Sequence, residues 1–279
     1  MGDHMKKNNI TLRIIVYTIL IAYSLLTLLP FGWSVLTSFK TTAEIAGGGT
    51  IFPETWSLGG YKTIFESQYP TWVLNSVIVS LVVTILNLIF NTMAGYAFAR
   101  IQFKGRTLVY SAMLMLIMVP TQVTMIPSYI VISDLGLVNT HMSLVLTTMI
   151  NIAYIFMMRQ FFINFPRDVE EAAAVDGLSK IGTFFRIVIP NALPAIATQA
   201  IFVFMAIWNE FMKPLLFITS PDKYMLTQGL NALSKQFMNA TAWDVIMAGA
   251  IFSIIPIFII YIILNKYFIQ SNDKTTGVK

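Results

Sequence analysis

Cysteine is absent from the 279 residues, which excludes disulfides, thiolate metal sites and a cysteine nucleophile. Histidine is nearly absent as well. His4 lies in the stretch Met1-Gly2-Asp3-His4 ahead of Met5, and His141 lies in a loop between apolar segments. Such a pair assembles neither a histidine dyad inside a membrane nor a two-histidine metal site. The expectation is therefore no bound metal and no intramembrane enzyme. Charge is also scarce: Asp, Glu, Lys and Arg make up 11% of the chain, where a soluble domain carries about 25%. The glycine run Gly47-Gly48-Gly49 lacks the Lys-Ser/Thr that completes a phosphate-cradling loop. It reads as flexible outside loop, and any energy for work comes from a partner or an ion gradient.

What the chain has instead is apolar length. Hydrophobic residues make up 56% of it and the mean hydropathy is +0.72, too much apolar surface for one water-soluble core. Crossing a bilayer takes about 20 apolar residues as a helix. Six segments qualify, at about 14–37, 72–98, 108–131, 143–163, 193–218 and 245–265. Ten-residue alternation, the mark of an outer-membrane barrel, is missing. The reading is an all-α membrane protein with a single transmembrane domain over 5–279. Residues 1–4 read as a cloning remnant. Pro120 and Pro127 predict a kinked or broken third segment, which either lines a pathway or only improves packing.

Basic residues orient the chain. The N-terminus, loop 99–107, loop 164–192 with its flank and the tail hold Lys6, Lys7, Arg13, Arg100, Lys104, Arg106, Arg159, Arg167, Lys180, Arg186, Lys266, Lys274 and Lys279. The alternate loops hold only Lys40, Lys62, Lys223 and Lys235. Both termini and loop 164–192 are therefore expected on the cytoplasmic side, with 40–70, 132–142 and 219–244 outside. The net charge of +5 is spread along segment flanks, which suits an anionic leaflet rather than nucleic acid.

Loop 164–192 is the most structured of the polar stretches. Pro166-Arg167-Asp168 opens a short helix with Glu170 and Glu171 complementing its dipole. Ala172, Ala173 and Ala174 favour helix while adding almost no bulk, and Gly177 supplies a left-handed stop. Ile181, Phe184, Phe185 and Ile187 then form an apolar stripe before Pro190 and Pro194. This is how a docking element for another protein would be built; the alternative is an amphipathic hairpin lying on the membrane.

The spacing Glu171-Ala172-Ala173, three residues, Gly177, nine residues, Ile187-Val188-Ile189-Pro190 resembles the signature loop of ATP-binding-cassette importer permeases, with Ile189 where leucine is usual. Val119-Pro120-Thr121-Gln122 through Ile126-Pro127, Leu135-Gly136-Leu137-Val138-Asn139-Thr140, Glu171 through Gly177, and Trp208-Asn209-Glu210-Phe211 with Pro214-Leu215 are similar to the carbohydrate subfamily, especially the maltose-type second permease subunit. The tail Thr276-Gly277-Val278-Lys279 resembles that subfamily's ending without its last glycine. The resemblance implies a type I importer permease fold of six transmembrane helices, with a cytoplasmic coupling helix between helices 4 and 5. It implies a sugar importer working by alternating access in the plasma membrane of a prokaryote. Partners would be a second, homologous permease, two copies of a cytoplasmic ATPase that bind ATP and Mg, and an extracytoplasmic sugar-binding protein. This chain itself would hold no cofactor. Glu170, Glu171, Ala172, Ala173, Asp176, Gly177, Ile187, Ile189 and Pro190 would dock the ATPase, and loop 219–244 would reach the binding protein.

Polar residues within the apolar segments complete the candidates. Asn209, Glu210 and Lys213, at the outer end of segment five, either shape an outer gate and meet the binding protein or anchor the helix by snorkelling. Asn87, Asn91 and Asn151 either face a sugar pathway or hold helices together. A permease for another solute and a gradient-driven carrier are the rivals; the second gives no reason for the docking loop.

Overall fold

The computed structural model describes residues 2–48, 50–237 and 242–275. In chain order the helices are α1 (Gly2–Ser38), α2 (Thr42–Ala46), α3 (Gly59–Glu66), α4 (Tyr69–Arg100), α5 (Arg106–Ile117), α6 (Thr121–Asp134), α7 (His141–Thr148), α8 (Ile152–Asn164), α9 (Arg167–Val175), α10 (Lys180–Thr183), α11 (Ile189–Asn191), α12 (Leu193–Trp208), α13 (Met212–Phe217), α14 (Leu226–Phe237) and α15 (Trp243–Thr275). A π-helical turn, Phe184–Val188, joins α10 to α11. Among the described residues no strand forms. The expected amphipathic stretch near Leu226–Phe237 is α14. The tail motif at 276–279 lies outside the described residues, as do 238–241 of the outward loop.

The chain divides into two compact units, one running up to Ser67 and taking in Ala232–Phe252, the other formed by Gln68–Asn231 with the chain from Ser253 onward. In the first unit, the apolar stretch Leu12–Ser38 of α1 has no buried residue within its most apolar window. Its C-terminal end is held by polar contacts. Lys40 Nζ donates to the Thr50 carbonyl, and Thr42 Oγ1 donates to Asp244 Oδ1 at 3.1 Å.

The second unit is built around α4, which packs along α8 and α12. Gly95 permits the closest approach: a Cβ there would stand 2.7 Å from Met158 Cβ and 3.0 Å from Arg159 N. No larger residue fits without moving α8. One cluster joins Val79, Val83, Leu144, Val145, Val203, Phe217 and Met225. A second joins Tyr96, Met158, Phe162, Phe184, Val188 and Ala192, tying the end of α4 to α8 and to the 180–192 arm.

Among the described residues, Leu12–Ser38, Tyr69–Arg100 and Trp243–Leu264 are long and apolar enough to cross a membrane unbroken. Three further stretches reach that length only as bent pairs, α5 with α6 at 105°, α7 with α8 at 42°, and 180–191 with α12 at 75°. The first bend falls at Pro120, just before α6, where the ring holds φ at −60° and leaves no backbone N–H to continue a helix. Pro127 sits inside α6 instead of ending it. The second bend was not expected. Segment 143–163 carries no proline, yet it breaks at 149–151, where the side chain of Asn151 caps α8 by accepting from Ala153 N at 2.9 Å. Segment 193–218 is likewise interrupted, α12 ending at Trp208 and α13 beginning at Met212.

Candidate docking site

Loop 164–192 enters α9 through Pro166, whose extended backbone (φ −58°, ψ 128°) sets the first helical turn. Asp168 and Glu170 lie in that turn, where the unpaired N–H groups favour negative charge. Pro166, the N-cap, offers no side-chain cap, which leaves charge as the complement at this end. At the other end Asp176 N bonds Ala172 O at 3.0 Å, Gly177 N bonds Ala174 O at 3.1 Å and Leu178 N bonds Ala173 O at 3.0 Å. Closing those carbonyls turns the chain left-handed, and Gly177 takes φ +83°. An L side chain at this angle costs about 1–2 kcal/mol, which is why glycine stands here.

The helix faces two ways. Glu171, Ala172, Ala174, Val175 and Asp176 are exposed, while Ala173 is buried and its carbonyl closes the turn. Val175 is 88% exposed, with Ile181 and Phe185 at 73% and 56% nearby in sequence. Val175 was not among the residues expected to dock, and it is the most exposed large apolar side chain of the loop.

Glu170 turns inward. Its carboxylate meets Arg100 Nε at 3.1 Å and accepts from Tyr96 Oη at 3.3 Å. Arg100 also donates to the Phe165 carbonyl. The 180–192 arm is anchored as well. Phe184 and Val188 are buried in the aromatic cluster, Ile189 packs against it, Ile187 is half-buried, and Pro190 is exposed in the first turn of α11. Of the nine residues predicted for docking, Glu171, Ala172, Asp176, Gly177 and Pro190 are surface positions.

Of the candidate pathway asparagines, Asn87 and Asn91 are buried between helices, Asn91 Nδ2 without a hydrogen-bond partner among the described residues, and Asn151 is exposed. Asn87 is 1% exposed and Asn91 0%. Asn87 Oδ1 accepts from Gln199 Nε2 at 3.0 Å, Thr92 Oγ1 donates to Gln199 Oε1 at 3.3 Å, and Asn91 Oδ1 accepts from Asn151 N at 3.3 Å. The last bond satisfies a backbone donor freed by the break between α7 and α8. Gln199 was overlooked, though a lone glutamine inside an otherwise apolar helix carried the same signal as the asparagines.

Glu210 and Lys213 do not serve each other first. Glu210 Oε1 accepts from the amides of Phe211 (3.0 Å), Met212 (3.0 Å) and Lys213 (3.3 Å), opening α13. Lys213 Nζ donates to the Thr147 carbonyl at 2.9 Å, an otherwise unpaired acceptor in the last turn of α7. Asn209 is exposed and its amide returns to the Met205 carbonyl at 2.8 Å. A further organiser is Asn139, the one non-glycine residue at positive φ (60°) among the described residues. Its Oδ1 accepts from Thr219 N and Ser220 N at 3.1 and 3.0 Å, joining two loops.

Among the described residues, no group of three His, Asp or Glu stands where it could hold a metal. The geometry consists of broken apolar helices, buried amide links, and one exposed helix tied to α4 through Glu170.

Apolar helices broken at specific points, with a surface helix between two of them, define a membrane transport component. Residues 91–274 match the family described as the inner membrane component of binding-protein-dependent transport systems. The chain belongs to that family and is embedded in a membrane. It is 35% identical over 240 residues to the arabinooligosaccharides transport system permease protein AraQ of Halalkalibacterium halodurans, covering 84% of this chain and 85% of that one. It is 31% identical over 266 residues to the diacetylchitobiose uptake system permease protein NgcG of Streptomyces coelicolor, covering 93% and 87%. The fold superposes with TM-score 0.81 on a chain of a bacterial ABC transporter involved in import of the acidic polysaccharide alginate. The two share 22% identity, with 94% of this chain and 98% of that one covered. The architecture is that of an ABC importer permease.

Proposed function

We propose that the chain is the permease subunit of an ATP-driven importer of di- or oligosaccharides, contributing half of the pathway beside a second, homologous permease. The relatives named for arabinooligosaccharide and diacetylchitobiose uptake support the substrate class. In this reading the three long helices and three bent pairs make six spans, with both termini and loop 164–192 in the cytoplasm. Helix α9 docks in a separate ATPase, two copies of which bind ATP and Mg; this chain binds no nucleotide. Glu171 supplies a charge-assisted contact to a basic residue of the ATPase, Ala172 lets it approach closely, and Gly177 aims the following arm. Asn209 and the 219–244 loop meet an extracytoplasmic sugar-binding protein.

The observation that carries the reading is the exposed Glu171-Ala172 face on a helix closed by a left-handed Gly177. The test is reconstitution with the ATPase, second permease and binding protein. A hydrogen bond to a charged group contributes about 1.5–3 kcal/mol, so Glu171→Ala weakens ATPase association roughly 10- to 100-fold. Gly177→Asp does the same by straining the turn. Both variants lose stimulation of ATP hydrolysis by sugar-loaded binding protein. Wild-type uptake that proceeds without the ATPase overturns the proposal and favours a gradient-driven carrier.

A further inference from the structure

We infer that Glu170 is a positioning residue that locks α9 to the last turn of α4, so that a partner pushing on α9 moves α4 with it. The inference rests on the docking role proposed for the loop. Arg100 and Glu170 have side chains only 9% and 19% exposed and stand 3.1 Å apart. Tyr96, one turn before Arg100, donates its hydroxyl to the same carboxylate at 3.3 Å. Arg100 reaches past Glu170 to the Phe165 carbonyl, directly before Pro166. One guanidinium thereby holds both the helix and the turn that enters it.

The far arm of the loop is bound to the same place. The Tyr96 ring packs at 4.7 Å from Phe184 and edge-on at 5.4 Å from Phe162. Both arms thus converge on Tyr96 and Arg100, which share a face of α4. Arg159 of α8 braces this end through the Phe98 carbonyl at 3.3 Å. If α9 swung independently of α4, a largely buried carboxylate would part from its cation, and an uncompensated buried charge is strongly disfavoured. The low-energy motion is of α9 and α4 together. Two neighbouring carboxylates divide the work: Glu171 takes the load and Glu170 passes it on.

The test uses the reconstituted complex and the absence of native cysteine, with spin labels at Ala174→Cys on α9 and Gln102→Cys beyond α4, both exposed. In the wild type the label distance keeps one value through the ATP cycle. Glu170→Gln retains the ATPase in the complex, but the distance distribution broadens on nucleotide binding and sugar moved per ATP falls about tenfold, within the usual range of coupling energies. Tyr96→Phe falls between, and Glu170→Asp recovers part of the loss. The inference is overturned if Glu170→Gln sheds the ATPase as Glu171→Ala does, since Glu170 is then a docking contact. It is also overturned if the assembled variant keeps both its distance distribution and its transport per ATP. A wild-type chain that recruits no ATPase sinks the docking reading before any variant is compared.

Discussion

Polar side chains buried in an apolar chain have to find partners, and those they find tell glue from ligand. Gln199, fully buried, spends its amide on Asn87 and accepts from Thr92. Gln199 thereby links α12 to two positions of α4. Gln199→Leu orphans two buried groups, at about 1–3 kcal/mol by water-based measures and nearer 0.6 kcal/mol by averages within membranes. The expected result is a lower unfolding temperature in detergent with the KM for sugar uptake unchanged. A raised KM at unchanged stability would make this cluster a substrate site. Sequence alone could not choose, because an asparagine in an apolar helix looks the same whether it faces a helix or a pathway. The same limit hid the inward turn of Glu170: the helix was legible, its rotation against α4 was not.

Helices break here for two different reasons, and only one is written locally. The bend between α5 and α6 follows from the ring and missing N–H of Pro120, so it was visible in the sequence. The break between α7 and α8 is held from outside, by Asn91 of α4 on Asn151 N and by Lys213 on Thr147 O, partners 60 and 66 residues away along the chain. One position limits how closely α4 and α8 can pack at Met158. Gly95→Val sets methyl groups where Met158 Cβ and Arg159 N already stand; overpacking of this kind costs about 1–3 kcal/mol. Thermal unfolding of the purified variant should drop accordingly, and Gly95→Ala should lie between. A Gly95→Val protein as stable as wild type would mean that α8 moves aside freely, against the close packing described.

At the scale of the whole molecule, hydropathy and basic residues were enough to read an all-α membrane chain, and the family match and fold agree with that class. Sidedness is a separate expectation with its own measurement. Single cysteines at Ala174 and Asp222, both exposed, should react with an impermeant thiol reagent from opposite faces of sealed vesicles, Ala174→Cys from the cytoplasmic face and Asp222→Cys from outside. Labelling of both from one face would mean that the segment between them does not cross the membrane, and labelling from the two swapped faces would reverse the assigned orientation. The two faces of α9 also bear on how the chain tolerates change in length. Successive residues are about 100° apart around a helix, so losing one residue between Phe165 and Glu170 would rotate Glu171 into the place of Glu170. Arg100 would then meet the residue meant for the partner, and the partner would meet a different side chain. Surface loops usually absorb such insertions and deletions without harm, but the five residues from Phe165 through Val169 should be held to a fixed count.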